Sequence, residues 1–268
     1  MKKCGSCGST NEKNAKFCSE CGASLSGDIT AVVAPPSVSA MEDSASVEVS
    51  AASFSASLMR FQNIQNHRSA DVMFVLDCTS SMRGEIEAIK DAIVGFADTI
   101  ESQGVRVRVG MIEFRDRLID EEQRVLTFDG EIFTSDAVAF RAEVSKLSAS
   151  GGGDIPESSL DAIMLALAQP YGDANKAIVL ITDAPPHIPD LDTKSLEEVV
   201  ERIKLVKVDQ MYLIIRTEDK ESQVYLKFLE GTRGMAFEIG RGDDFRERAE
   251  DFKRTLMALG KTISQATR

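Results

Sequence analysis

From about residue 69 onward the chain alternates between two kinds of segment, and that alternation restricts its fold more than any other feature. DVMFVLD (71–77), VRVRVGMIEF (105–114), AIVLITDA (177–184) and QMYLIIR (210–216) are apolar runs of strand length. Between them lie EIEAIKDAIVGFADTI (85–100), SDAVAFRAEVSKL (135–147), PESSLDAIMLALA (156–168) and TKSLEEVVERIKLV (193–206). Apolar residues recur there at three- and four-residue spacing, which predicts helices with one buried stripe. A last strand, MAFEI (235–239), precedes a long helix, FRERAEDFKRTLMALGKTI (245–263). Strands that are apolar along their whole length, separated by helices, predict an α/β fold. Its sheet is mainly parallel and covered by helices on both faces.

Such sheets form their sites beyond the carboxyl ends of the strands, near the point where strand order reverses. Two of the apolar runs end there on an aspartate, Asp77 and Asp183. The first is followed by CTSS, so that Asp77, Thr79 and Ser81 stand at alternate positions of the turn leaving the strand. One carboxylate and two hydroxyls converging on a point suit a hard divalent cation, Mg²⁺ or Mn²⁺, which takes oxygen ligands. The same residues also fit a helix start, with Thr79 or Ser81 as N-cap and Glu85 behind it. The positive end of that helix would oppose a cation unless acidic groups outweigh it. Residues 151–158, GGGDIPES, add a glycine loop with Asp154 at its edge, opening a helix from Pro156. Asp154 is then either a third carboxylate at the site or an N-cap two residues ahead of a proline.

Taken together, Asp77-Cys78-Thr79-Ser80-Ser81, the glycine loop and Thr182-Asp183-Ala184 resemble the von Willebrand factor type A domain and its metal-ion-dependent adhesion site. The family's first motif is Asp-x-Ser-x-Ser, matched here with Thr in the middle. Its late aspartate closes a strand in a Thr-Asp-Gly-like sequence, matched by Asp183. Its intermediate ligand is usually a threonine after a glycine turn, and here Asp154 falls in that place. Over residues 69–268 the resemblance implies a Rossmann-like sandwich built on a six-stranded sheet with one short antiparallel edge strand, for which RVLTF (124–128) is the candidate. It implies a divalent cation at Asp77, Thr79, Ser81, Asp154 and Asp183, and a partner protein that offers it an acidic side chain.

The first 25 residues are organised differently. Cys4, Cys7, Cys18 and Cys21 form two CxxC pairs, each followed by glycine. With no export signal ahead of them, paired cysteines favour metal over disulfides. Two such turns place four thiolates around one zinc, and four protein ligands make the site structural. A segment this short and polar needs such a staple to fold. It resembles the zinc-ribbon modules found at the ends of many bacterial and archaeal proteins. Lys2, Lys3, Lys13 and Lys16 against Glu12, Glu20 and the zinc–thiolate cluster leave it near neutral, with Phe17 its one aromatic. That is a poor platform for nucleic acid and favours protein docking. Residues 26–68, rich in Ser and Ala, read as a flexible linker.

The formal net charge of −12, from 43 acidic against 31 basic residues, opposes nucleic-acid binding by the chain as a whole. No apolar run approaches the ~20 residues of a membrane helix, and MKKCGSCGS is no secretory signal, which points to the cytosol. Cys78 reads as a small buried residue, His187 as a loop residue beside the site or in solvent, and Glu113 with Arg115 as a structural ion pair. The expected function is a non-catalytic protein-binding or assembly module. A Mg²⁺-dependent phosphotransfer enzyme using Asp77 as nucleophile is the alternative, weakened because Thr79 stands where such enzymes carry a second, acid–base aspartate. A zinc-ribbon nucleic-acid binder is the third reading. The ribbon yields a direct test: the purified chain should carry one zinc, and Cys4→Ser with Cys18→Ser should abolish it. Elemental analysis showing no zinc in the unaltered chain would remove the ribbon.

Overall fold

The computed structural model describes residues 1–3, 10–11, 69–102, 104–153, 155–240 and 245–267 of the 268. Cys4, Cys7, Cys18 and Cys21, the 26–68 segment and Asp154 therefore lie outside the described residues. In the N-terminal unit, β1 (Lys2–Lys3) pairs antiparallel with β2 (Thr10–Asn11), two strands that bracket the first CxxC in sequence.

The larger unit follows the alternation of its sequence. Its strands are β3 (Ser69–Asp77), β4 (Arg106–Phe114), β5 (Arg124–Val125), β6 (Asn175–Ile181), β7 (Gln210–Ile215) and β8 (Arg233–Glu238). Its helices are α1 (Arg83–Glu101), α2 (Ala137–Val144), α3 (Ser159–Leu167), α4 (Leu196–Val206) and α5 (Phe245–Ala266). The six strands form one sheet in the order β5-β4-β3-β6-β7-β8, parallel except for the short edge strand β5. The edge strand falls where RVLTF places it, cut to two residues. The chain walks outward from β3 to β4 and β5, then returns to the other side of β3 with β6. Strand order thus reverses between β3 and β6, and a crevice opens there at their carboxyl ends.

Alternate residues of β3 point to opposite faces of the sheet. Val72, Phe74, Leu76 and Cys78 enter one core, with Ile86, Ile89 and Phe96 of α1 and Phe252, Leu256 and Leu259 of α5. Met73 and Val75 enter the other, with Leu160 and Ile163 of α3, Val199 and Ile203 of α4, and Tyr225 and Phe228. Phe74 meets Phe96 edge to face, with ring centroids 5.1 Å apart. Each such fully buried side chain contributes on the order of 1.5–3 kcal/mol, so this sheet centre is the stable part of the molecule.

Two elements differ from the reading of the sequence. The helix expected from Pro156 begins at Ser159, with Ser158 as the residue before it, so Pro156 and Glu157 remain in the loop. Residues Ser222–Leu229 form a 3-10 helix that carries Tyr225 and Phe228 into the second core. Glu113 pairs with Arg124 at 2.8 Å across β4 and β5, and more loosely with Arg115 at 3.9 Å. No helix among the described residues is long and apolar enough to cross a membrane.

β8 depends on one close approach. Gly234 sits opposite Met211 of β7, at φ +156°, and a Cβ built on it would lie 1.7 Å from the Met211 carbonyl oxygen. Gly234→Ala should therefore peel β8 from the sheet, lowering the midpoint of urea unfolding and exposing β8 amides to hydrogen exchange. An unchanged midpoint would show that the strand shifts to accept the methyl.

Candidate metal centre at the sheet crest

The turn after β3 is built around Asp77, which is completely buried. Its Oδ1 accepts from the Thr79 backbone N–H at 2.9 Å and from Thr79 Oγ1 at 2.6 Å, and its Oδ2 accepts from Thr182 Oγ1 at 2.7 Å. Across the crevice, Ser81 Oγ donates to Asp183 Oδ1 at 2.8 Å, and the hydroxyl oxygens of Thr79 and Ser81 stand 3.2 Å apart. Four of the five residues expected at the site are thus brought together as two hydrogen-bonded pairs, Asp77 with Thr79 and Ser81 with Asp183, whose hydroxyl oxygens face each other with both protons already given to carboxylates. The helix-capping alternative fails for Thr79: it is the residue before the 3-10 turn Ser80–Met82, but its side chain caps nothing there.

The glycine loop is fastened to this turn. Ser80 N and Oγ both donate to the Gly151 carbonyl, at 3.2 and 2.8 Å, and Ser150 N donates to the Cys78 carbonyl at 3.0 Å. Glu121 holds the loop from the far side by accepting from Gly152 N. Gly152 has φ +76°, and a Cβ on it would meet Glu157 Oε1 and the Thr79 side chain, both at 3.1 Å. A side chain there would be strained and would fill the space between Thr79 and Glu157.

Glu157 and Arg216 were not among the residues read from the sequence, yet both line the crest cavity of about 220 Å³ with Thr79, Ser81, Gly152 and Asp183. Glu157 is 4% exposed and its Oε2 has no hydrogen-bond partner among the described residues. A buried carboxylate oxygen without a partner is costly, and it marks where a positive group belongs. Burial pushes Glu157 up to about 9, and the charges of Asp77, Asp116, Glu121 and Asp183 add to the effect. Burial likewise pushes Asp77 up to about 6, against the pull of its hydrogen bonds from Thr79 and Thr182. Arg216, directly after β7, pairs with Asp183 Oδ2 at 2.9 Å. Glu157 was hidden by assigning it to a helix. Arg216 was legible as a third strand end on the same edge of the sheet.

Other polar residues of these loops serve the scaffold. His187 is half-buried and tied to Asp116, with Nε2 3.1 Å from Oδ1, so it belongs to the loop scaffold. Asp161 accepts from the backbone N–H groups of Asp192 and Thr193 and pairs with Arg117. Cys78 is buried as expected, and burial raises its thiol well above the ordinary range.

No three His, Cys, Asp or Glu side chains among the described residues are grouped to hold a metal by themselves. The donor set here is of another kind, two hydroxyls backed by carboxylates. A hydroxyl that gives its proton to a carboxylate still presents lone pairs to a cation. Neighbouring ligands of an octahedral Mg²⁺ at about 2.1 Å stand about 3.0 Å apart, close to the observed 3.2 Å between Thr79 and Ser81 Oγ atoms. The residues fit a hard divalent cation.

Freed of Mg²⁺ and Mn²⁺, the folded chain holds the Glu157 proton that the unfolded chain releases near 4.5. The folded state then binds more protons in the window from about 4.5 to about 9. That share of stability is full below the window and is lost as pH rises through it, on the order of 1 kcal/mol per unit of displacement. Glu157→Gln should flatten this fall, as read by urea unfolding at pH 5, 7 and 9. Parallel profiles for variant and wild type would refute it.

Comparison with known proteins bears on the family and the fold. A family model described as von Willebrand factor A domain matches residues 71–233, and a zinc-ribbon domain model matches residues 3–25. An alpha-protein kinase, vwkA, from Dictyostelium discoideum is 29% identical over 132 residues, 48% of this chain and 20% of that protein. The chain thus spans about a fifth of the length of this curated relative. Among solved structures, proximal thread matrix protein 1 from the mussel byssus superposes with a TM-score of 0.50 at 13% identity, covering 72% of this chain and 46% of that one. The von Willebrand factor type A protein from Catenulispora acidiphila gives 0.49 at 20% identity, covering 71% and 42%. The SpRpn10 VWA domain gives 0.49 at 16% identity, covering 68% and 94%. With the family pattern matched across most of the six-stranded sheet, this chain belongs to the von Willebrand factor A domain family and carries a zinc-ribbon domain at its N-terminus.

Proposed function

We propose that the chain is a non-catalytic protein-binding module whose A domain captures an acidic side chain of a partner protein through a divalent cation at the sheet crest. The observation that supports it most is the gathering of Asp77, Thr79, Ser81 and Asp183 at the point of strand reversal, beside a cavity with a Glu157 oxygen that has no partner among the described residues. Thr79 and Ser81 hold the cation directly in this reading. Asp77 and Asp183 hold it directly or through water, Asp154 adds a third carboxylate from the glycine loop, and Glu157 backs the cavity. When bound, the cation supplies an open coordination position for a carboxylate oxygen. The zinc ribbon at Cys4, Cys7, Cys18 and Cys21 provides a second docking surface.

The phosphotransfer alternative has little support in the geometry. A nucleophilic Asp77 would need an accessible oxygen, but both of its oxygens accept hydrogen bonds and the residue has no exposed surface. The kinase name of the matched relative belongs to a protein of which this chain spans a fifth. The cytosol is the proposed location, and nucleic acid is not a proposed partner.

Mg²⁺ or Mn²⁺ should raise the melting temperature of the A domain by mass action, more at higher concentration. Asp77→Ala should remove the response and any partner capture while leaving a folded domain, whose cores do not include that side chain. Calorimetry that finds no divalent binding to the unaltered chain would end this reading, and metal-dependent turnover of a phosphate ester lost in Asp77→Asn would replace it with the enzymatic one.

A further inference from the structure

Arg216 occupies a singular place at the crest. Its Nη2 donates to Asp183 Oδ2 at 2.9 Å, while Ser81 Oγ donates to Asp183 Oδ1 at 2.8 Å. One oxygen of this carboxylate thus faces the hydroxyl pair, and the other is neutralised by a guanidinium. The Asp183 side chain is 5% exposed and that of Arg216 is 49% exposed, and both line the same cavity as Thr79 and Ser81. The pair therefore joins a fixed, buried anion to a cation with room to move. A guanidinium keeps its charge at every accessible pH, so no loss of its proton frees Asp183 for a second cation.

Resting on the metal-site reading above, we infer that Arg216 is a built-in counter-ion of Asp183 that a divalent cation displaces, and that the released guanidinium then receives the partner's carboxylate. The physical reason is competition for one charge. A cation against Thr79 and Ser81 draws on Asp183 and repels the guanidinium beside it. A half-exposed ion pair is weak enough to be given up, and its loss costs only a small factor in metal affinity. The guanidinium presents paired N–H donors that match a carboxylate's two oxygens. Metal occupancy would thereby convert Arg216 from a group that closes the site into one that recognises its ligand. An arginine here also offsets the negative charge that Asp183 brings to the rim, which would otherwise repel an acidic partner.

Three measurements on the full chain test this. Calorimetric titration with Mn²⁺ should show Arg216→Met binding roughly two- to fivefold more tightly than wild type, because the competitor is gone. In nitrogen-resolved NMR of wild type, the Arg216 side-chain N–H groups should exchange slowly with solvent in the metal-free chain and exchange faster on Mg²⁺ addition, with the midpoint of metal binding, as their bond to Asp183 is lost. Acetate, as the simplest carboxylate probe, should bind the Mg²⁺-saturated wild type and lose several-fold in affinity in Arg216→Met. Mn²⁺ binding by Arg216→Met alone would overturn it, since in the unaltered chain no cation would then displace the guanidinium. Equal or weaker Mn²⁺ binding in the variant, unchanged exchange of the Arg216 N–H groups or unchanged acetate affinity would overturn it while leaving the metal site standing. Failure of both proteins to bind Mn²⁺ would overturn the metal site and the counter-ion together.

Discussion

The pairing of β3 with its two neighbours is the constraint on which the rest of the molecule depends. β3 runs parallel to β4 from Ser69 to Asp77 and to β6 from Ala70 to Leu76, so its backbone polar groups are used on both sides. Helices cover both of its faces, and every residue from Ala70 to Thr79 is buried. A strand so enclosed has no tolerance for charge along its length, and charge collects at its ends. Asp71 at the entering end is paired with Arg108 through two hydrogen bonds. Asp77 at the leaving end has only neutral donors, Thr79 and Thr182. The contrast marks one end as structure and the other as a site.

At the crest the fold gathers more carboxyl groups than it pairs with cations. Asp77, Glu157 and Asp183 come from three separate segments, and the single arginine at the cavity serves Asp183 alone. Backbone hydrogen bonds there join those segments. Cys78 and Ser80 bond to the glycine loop, Thr182 N donates to the Ile214 carbonyl, and Glu157 N donates to the Pro185 carbonyl. With the framework satisfied and the carboxylates partly unsatisfied, the energetic deficit is local. It can be relieved by one small cation without moving the sheet. Sites of this kind exchange stability for binding, and the two cores beneath the crest supply the stability.

The A-domain fold was legible in the chain because each of its strands is buried on both faces, which writes continuous apolar runs that helices then separate. The strand-end aspartates were legible for the same reason, since polarity begins where burial stops. Thr79 and Ser81 followed from alternation in the turn. The helix start was misjudged at Pro156 because proline favours a first helical turn, whereas here residues 155–158 are held in the loop by bonds from Glu157 to Pro185 and His187.

What the sequence alone determined is therefore the layer architecture, the paired cysteines of the ribbon, and the residues Asp77, Thr79, Ser81 and Asp183. These depend on local periodicity and on spacing along the chain. What only the tertiary structure decided is which distant side chains share the crest with them. Glu157 enters the cavity because Gly152 leaves space for it, and Arg216 reaches Asp183 because β6 and β7 are neighbours in the sheet. Both depend on strand order and on the absence of a Cβ across a loop. These are relations between segments that no single stretch of sequence contains.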